Sequence, residues 1–271
     1  MTVNTQLAIT WAIALVFTLI GCGSGGGSSS GVIATNPDVI TEGGAGAPVP
    51  DNTTNDSYRI LLLGNSHVGP IGGIIQTLVS VNQTGKTAVT KLAPGAKFLD
   101  ERIDDGETYA TLTGSQWTHV ILQGQKYSMS AGAIYPTSAA ELWVKRSKDQ
   151  GATPILFPEH PQRGNAEEGR MLYDLHKSIA AKELSCVAPI GLAWDEALAR
   201  NGNLPLHNAD GNHASPTGAL LTALVFYQII TGELAVALPY VSEFDVDEDT
   251  QTLLRQVASD VILFNPPCEV D

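Results

Sequence analysis

From residue 58 onward, short apolar runs alternate with longer stretches in which apolar residues recur at helical spacing. The runs at 58–63, 88–92, 118–122, 153–157 and 186–190 read as strands, each followed closely by Gly or Pro. Between and after them, helical spacing covers 71–81, 137–149, 166–183, 194–200, 216–231 and 248–263, with Gly151 and Gly232 as stops. Strands that are apolar throughout, rather than alternating, expect cover on both faces. The order predicts a three-layer α/β/α sandwich with a mostly parallel, flavodoxin-like sheet of about five strands. Ligands of such sheets gather beyond the carboxyl ends of the strands. Ser66, Gly95, Gln123 and Glu159 all fall at such ends.

Upstream the pattern changes. Leu7 to Ile20 is continuously apolar but shorter than the roughly 20 residues that span a bilayer comfortably. It closes on Leu19-Ile20-Gly21-Cys22, which resembles the lipobox of bacterial lipoprotein signal peptides, where the Cys is lipidated and becomes the first mature residue. The segment before Leu7 lacks the Lys or Arg that secretory signals usually carry. Residues 23–57 are mainly Gly, Ser, Thr, Asn and Pro, a composition that suits a flexible tether. The expected organisation is a signal peptide at 1–21, a tether at 22–57 and one folded domain at 58–271. Lipid on Cys22 would make a membrane the one macromolecular partner, with the chain held in the cell envelope, on the outer membrane or facing the periplasm. Gly23 is not the Asp that commonly signals inner-membrane retention.

Composition adds exclusions. The 271 residues carry 28 acidic and 15 Lys or Arg side chains, a formal net charge of -13. Nucleic acid and anionic membrane surfaces require clustered cations, so neither is an expected partner of the domain. Of the 3 cysteines, Cys22 is taken by the lipid, leaving Cys186 and Cys268 as a candidate disulfide or two separate buried thiols. Asp245, Asp247 and Asp249 lack the Gly and distal Glu of a calcium loop. No metal or cofactor site emerges, and a monomer is expected.

The candidate chemistry starts at Gly64-Asn65-Ser66-His67, just after the first strand. Gly64 to Gly69 begins like a phosphate-binding loop, but Pro70 stands where that loop needs Lys. Ser66 occupies the second Gly of the dinucleotide fingerprint, and Val68 the second Gly of the nucleophile elbow. As a nucleophile Ser66 needs a base, and the base an orienting acid. Of the 6 histidines, His213 alone follows an acid by one helical turn just before a long helix, in Asp210-Gly211-Asn212-His213.

Gly64-Asn65-Ser66 after the first strand, a Gly loop at Ala93-Pro94-Gly95 after the second, and Asp210-x-x-His213 near the C-terminus resemble the SGNH/GDSL hydrolases over about residues 58–231. The resemblance implies Ser66 as nucleophile, His213 as base and Asp210 as its orienting acid. It implies an oxyanion hole made of the Ser66 N–H, the Gly95 N–H and a side-chain amide. The family places Asn at that last position, in G-x-N-D; here the segment is Gln123-Gly124-Gln125-Lys126, so Gln125 is the expected donor and Gln123 the alternative. Asn65 replaces the family's usual Asp. Candidate substrate-lining residues are Asn65, His67, Glu159 and His160, with His67 either touching substrate or packing against the turn. The expectation is a serine esterase for small acyl or glycan esters, acetyl above all. An envelope O-acyltransferase of the same fold and a catalytically decayed glycan-binding module are the alternatives.

Overall fold

In a computed structural model, residues 46–130 and 132–268 are described. The signal peptide, Cys22 and most of the tether therefore lie outside the described residues. Contacts divide the chain into two units at Glu42/Gly43, and every described residue belongs to the second.

Five parallel strands form one sheet in the order β2-β1-β3-β4-β5: β1 (Ser57–Leu63), β2 (Thr87–Leu92), β3 (His119–Gln123), β4 (Thr153–Phe157) and β5 (Cys186–Val187). Among the described residues, seven α-helices connect and follow them: α1 (Ile71–Val81), α2 (Gly106–Thr113), α3 (Ser138–Asp149), α4 (Glu168–Ala180), α5 (Ile190–Arg200), α6 (Pro216–Thr231) and α7 (Glu248–Phe264). This is the α/β sandwich with both sheet faces covered. Ile60 and Leu62 of β1 point into a core shared with α1, α5, α6 and α7, whereas Leu61 and Leu63 point into a second core with α2, α3 and α4. Successive side chains of a strand face opposite ways, so a strand buried on both sides must be apolar throughout. That explains the unbroken run Ile60-Leu61-Leu62-Leu63. Helix α6 is buried along nearly its whole length, Phe226 meeting Phe157 of β4 edge-on at 5.0 Å between ring centres.

Three differences from the sequence reading have physical causes. The run at 186–190 is strand only at Cys186–Val187; Pro189 ends it and caps α5, so Ile190 begins a helix. Helix α2 carries no periodic signal because only Thr108 and Leu112 are buried in it; Asp105 starts it by accepting the Glu107 N–H. Residues 46–57, expected to be part of the tether, are seated on the domain. The Ala47 carbonyl accepts from Lys148 Nζ, and the Asn52 amide donates to the Gly151 carbonyl. Among the described residues no helix is long and apolar enough to cross a membrane, and no group of three His, Cys, Asp or Glu is placed to hold a metal ion.

Candidate active site

β1 delivers its chain end to the centre of the sheet edge, flanked by β2 and β3. Gly64 comes next because a Cβ there would run into the Gln123 side chain and Val68. The turn is then closed locally: Asn65 Oδ1 accepts the His67 N–H at 3.1 Å, an arrangement natural to Asn. Ser66 sits at its crest.

The partners arrive from the other end of the chain. Ser66 Oγ lies 2.8 Å from His213 Nε2, and His213 Nδ1 lies 2.7 Å from Asp210 Oδ2. The other Asp210 oxygen accepts the backbone N–H groups of Asn212 and His213 at 2.9 and 3.0 Å. These donors hold the Asp210 carboxyl well below the usual carboxylate range, the Asn212 N–H most strongly and then the His213 side chain. An ionised Asp210 keeps the proton of His213 on Nδ1 and leaves Nε2 as an acceptor for the Ser66 hydroxyl.

The Asp210–His213 loop is built from below. His160 Nε2 donates to the Asn212 carbonyl at 2.8 Å, and its ring stacks on Trp194 at 3.9 Å between centres. Burial lowers the His160 pKa to about 3, so it is a neutral imidazole. His207 Nε2 donates to the Pro161 carbonyl, and the Arg163 N–H to the Gly211 carbonyl. Ser215 then caps α6 by accepting the Gly218 N–H.

Ser66 and His213 open onto a groove of about 810 Å³. Of the candidate substrate-lining residues, Asn65, His67 and Glu159 line it; His160 does not, being 4 % exposed beneath the loop. His67 stacks face to face on His213, with ring centres 5.2 Å apart and 17° between planes, and its Nε2 faces Glu159 Oε2 at 3.7 Å. It both packs and lines the groove. Burial lowers its pKa, so it stacks as a neutral ring. The groove lining also includes the aromatic side chains of Phe98, Tyr127 and Tyr135. Tyr127 is fixed by its hydroxyl, which donates to the buried Glu168 at 2.7 Å.

Both glutamine expectations require correction. Gln125 Nε2 donates to the Lys126 and Pro136 carbonyls, pinning the two ends of the 126–136 loop, and lines a neighbouring cavity of about 190 Å³ rather than the groove. Gln123 is 1 % exposed at the end of β3. Its Oε1 accepts the Asn65 N–H at 2.8 Å and its Nε2 donates to Glu159 Oε2 at 2.7 Å. A flipped amide would set donor against donor and acceptor against acceptor, so the two partners fix its orientation. Neither Gln123 nor Gln125 is among the residues that line the groove. Gly95 adopts φ +70°, a conformation Gly takes without strain, but its carbonyl is turned to Arg102 and it is Ala96 that lines the groove.

Arg102 is the residue that sequence reasoning missed. It lies in Asp100-Glu101-Arg102-Ile103-Asp104-Asp105, a stretch that looks like a solvated acidic face, yet its side chain is fully buried. Only the 3-10 turn at Asp100–Arg102 aims it inward, and no periodic signal announces that turn.

Cys186 and Cys268 form a disulfide that ties the end of the chain to β5, next to the backbone bond from the Val187 N–H to the Pro267 carbonyl.

No protein-family model matches the chain, and no curated protein resembles it in sequence. Solved structures do resemble it. A DUF4886 family protein from Bacteroides uniformis superposes with a TM-score of 0.64 at 15 % identity, over 79 % of this chain and 97 % of its own. A candidate SGNH hydrolase from Slackia heliotrinireducens gives 0.52 at 21 % identity, over 64 % of this chain and 98 % of its own. By its parallel sheet, its helical layers and these neighbours, the chain has the fold on which SGNH-type hydrolases are built.

Proposed function

We propose that the protein is a serine esterase that removes short acyl groups, acetyl above all, from carbohydrate. The observation that carries this is the unbroken contact series from Ser66 Oγ through His213 to Asp210, opening on a groove at the strand ends. His213 Nε2 takes the hydroxyl proton as Ser66 Oγ attacks the acyl carbonyl. Asp210 holds the imidazolium that results. His213 then returns the proton to the departing alcohol, and water, deprotonated by the same nitrogen, releases the acid. The oxyanion falls to backbone donors, the Ser66 N–H and the loop after β2, because the side-chain amides of Gln123 and Gln125 are committed elsewhere.

The groove supports the carbohydrate reading. It is open, and its lining combines the aromatic side chains of Phe98, Tyr127 and Tyr135 with the polar side chains of Asn65, Glu159 and Gln162. A sugar ring offers apolar faces to the first set and hydroxyls to the second. Lipid on Cys22 would hold the enzyme at the cell envelope, and the Cys186–Cys268 disulfide suits an oxidising compartment.

The test is hydrolysis of p-nitrophenyl acetate by the purified protein. Wild type should turn over and Ser66→Ala should not; equal rates end the esterase reading. One observation favours a non-catalytic glycan-binding module, namely the absence of a side-chain oxyanion donor at Gln123 and Gln125. That reading expects retention on acetylated xylan without release of acetate.

A further inference from the structure

Arg102 spends its guanidinium on the two loops that frame Ser66. Its NH2 nitrogen donates to the carbonyls of Gly64 at 2.8 Å and Gly95 at 2.6 Å. Its NH1 nitrogen donates to the carbonyl of Pro94 at 3.0 Å and to Thr108 Oγ1 at 2.9 Å. Among the described residues no carboxylate accepts from it; Asp105, instead, binds Thr108 Oγ1 and Lys97 Nζ. Burying a cation among carbonyls without a hydrogen-bonded anion is unfavourable, and burial lowers its pKa accordingly. Apolar residues could fill the same space. They would not hold three backbone carbonyls.

Those carbonyls determine where the neighbouring N–H groups point. In a trans peptide the C=O and the following N–H are antiparallel. With the Pro94 and Gly95 carbonyls drawn inward onto Arg102, the N–H groups of Gly95 and Ala96 face the opposite way. Gly95 at φ +70° makes this same-sided pair of carbonyls accessible, and successive N–H groups so arranged form a concavity that favours anions. Ala96 lines the groove, and neither its N–H nor those of Gly95 and Ser66 has a partner among the described residues. The Asn65 N–H is unlike them, because Gln123 has taken it.

We propose that Arg102 is the positioning residue of the oxyanion site: holding the Gly64, Pro94 and Gly95 carbonyls in the core, it aims the Ala96 N–H into the groove beside Ser66. This rests on the esterase reading. It replaces the missing side-chain donor with a backbone donor whose direction is set by a buried cation.

The experiment is p-nitrophenyl acetate hydrolysis by wild type, Arg102→Lys and Arg102→Ala, with thermal melts to show that each is folded. Lys cannot reach all the carbonyls at once, so kcat of Arg102→Lys falls by about 10²-fold, the order lost with one oxyanion donor, while KM stays near wild type. Phenylboronic acid, whose tetrahedral adduct on Ser66 presents an oxygen to the same N–H groups, loses affinity in step with kcat. Millimolar guanidinium chloride restores kcat of folded Arg102→Ala; equimolar urea does not. A lowered melting temperature with kcat intact overturns the proposal. So does a kcat loss with unchanged boronate affinity, and so does a folded Arg102→Ala that guanidinium fails to restore. If Arg102→Ala does not fold, kcat and boronate affinity of Arg102→Lys decide. Equal activity of wild type and Ser66→Ala removes the esterase reading and this proposal together. A dead Ser66→Ala beside fully active Arg102 variants removes the positioning role alone.

Discussion

A serine hydroxyl acquires reactivity only from its neighbours, and on the proposed reading His213 and Asp210 supply it to Ser66. Asp210 faces His213 Nδ1 at 2.7 Å while accepting two backbone N–H groups. Replacing it by Asn keeps the shape but permits the wrong tautomer. We expect Asp210→Asn to lower kcat by about 10²–10⁴-fold with little change in melting temperature, read by steady-state kinetics and thermal melts side by side. Gln123 makes a different prediction. In Gln123→Glu the new carboxylate still accepts the Asn65 N–H but meets Glu159 where Nε2 now donates at 2.7 Å. Two carboxyls so placed hold one proton between them, and that proton stands in for the lost N–H at low pH. As pH rises the proton leaves and repulsion opens the pair, beside His67. The variant's kcat should therefore decline with rising pH across a range where wild type does not. Parallel pH profiles would sink the idea. At this scale the grouping of Ser66, Asp210 and His213 as candidates was legible from their types and order, and the fold brings the three side chains into contact. The contacts of Gln123, Gln125 and Arg102 were not legible, since direction, not identity, decides what a long side chain touches.

Elements were legible where local chemistry bounds them. The structure has α1 at Ile71–Val81, β4 at Thr153–Phe157 and α6 at Pro216–Thr231, each where the pattern of apolar residues puts it. Pro70, Pro158, Pro216 and Gly232 supply those boundaries, Gly232 at φ +71° closing α6. Helix α2 was invisible because its amphipathic signal amounts to Thr108 and Leu112. The junction between the Asp210–His213 loop and α6 is closely packed. A Cβ on Gly218 would strike the Leu206 carbonyl and the Trp194 ring, which carries His160. Gly218→Ala should therefore destabilise by about 1–3 kcal/mol, the usual range for overpacking, seen as a lower denaturation midpoint in urea. Because Trp194 and Leu206 must move, kcat should fall as well.

Across the whole molecule, burial of imidazoles ties stability to pH. Desolvation lowers the pKa of His119 and His160 to about 3 and of His176 to about 4, whereas the unfolded chain protonates them near pH 6.5. For a base whose folded pKa is depressed, stability is full above the unfolded value and is lost as pH falls below it. Asp195 opposes this: burial raises it to about 6, so between its unfolded value and 6 the folded state binds the extra proton. Near pH 5 the unfolded chain still holds about two more of these protons than the folded one, so stability should fall by about 2–3 kcal/mol per pH unit there. Melts from pH 7 to pH 4.5 check the slope, and His176→Leu should flatten it. The Cys186–Cys268 bond closes a loop of sequence separation 82, and its loss should lower stability by about 2–5 kcal/mol, read as a drop in melting temperature on adding reductant.

The alternation of apolar runs and amphipathic stretches was enough to specify a parallel, doubly covered sheet, because strand and helix periods are local properties and the central strands β1, β3 and β4 are apolar toward both layers, whereas β2 is an exposed edge. Residue type and order likewise singled out Ser66, Asp210 and His213 as candidates, since few side chains can serve as nucleophile, acid and base. Folding alone decided which donors remain to face the groove. Gln123 and Gln125 spend their amides on Glu159 and on loop carbonyls, and Arg102 turns in from an acidic stretch to hold three others. A buried polar group must find a partner, and which partner is within reach depends on loops brought together from distant parts of the chain.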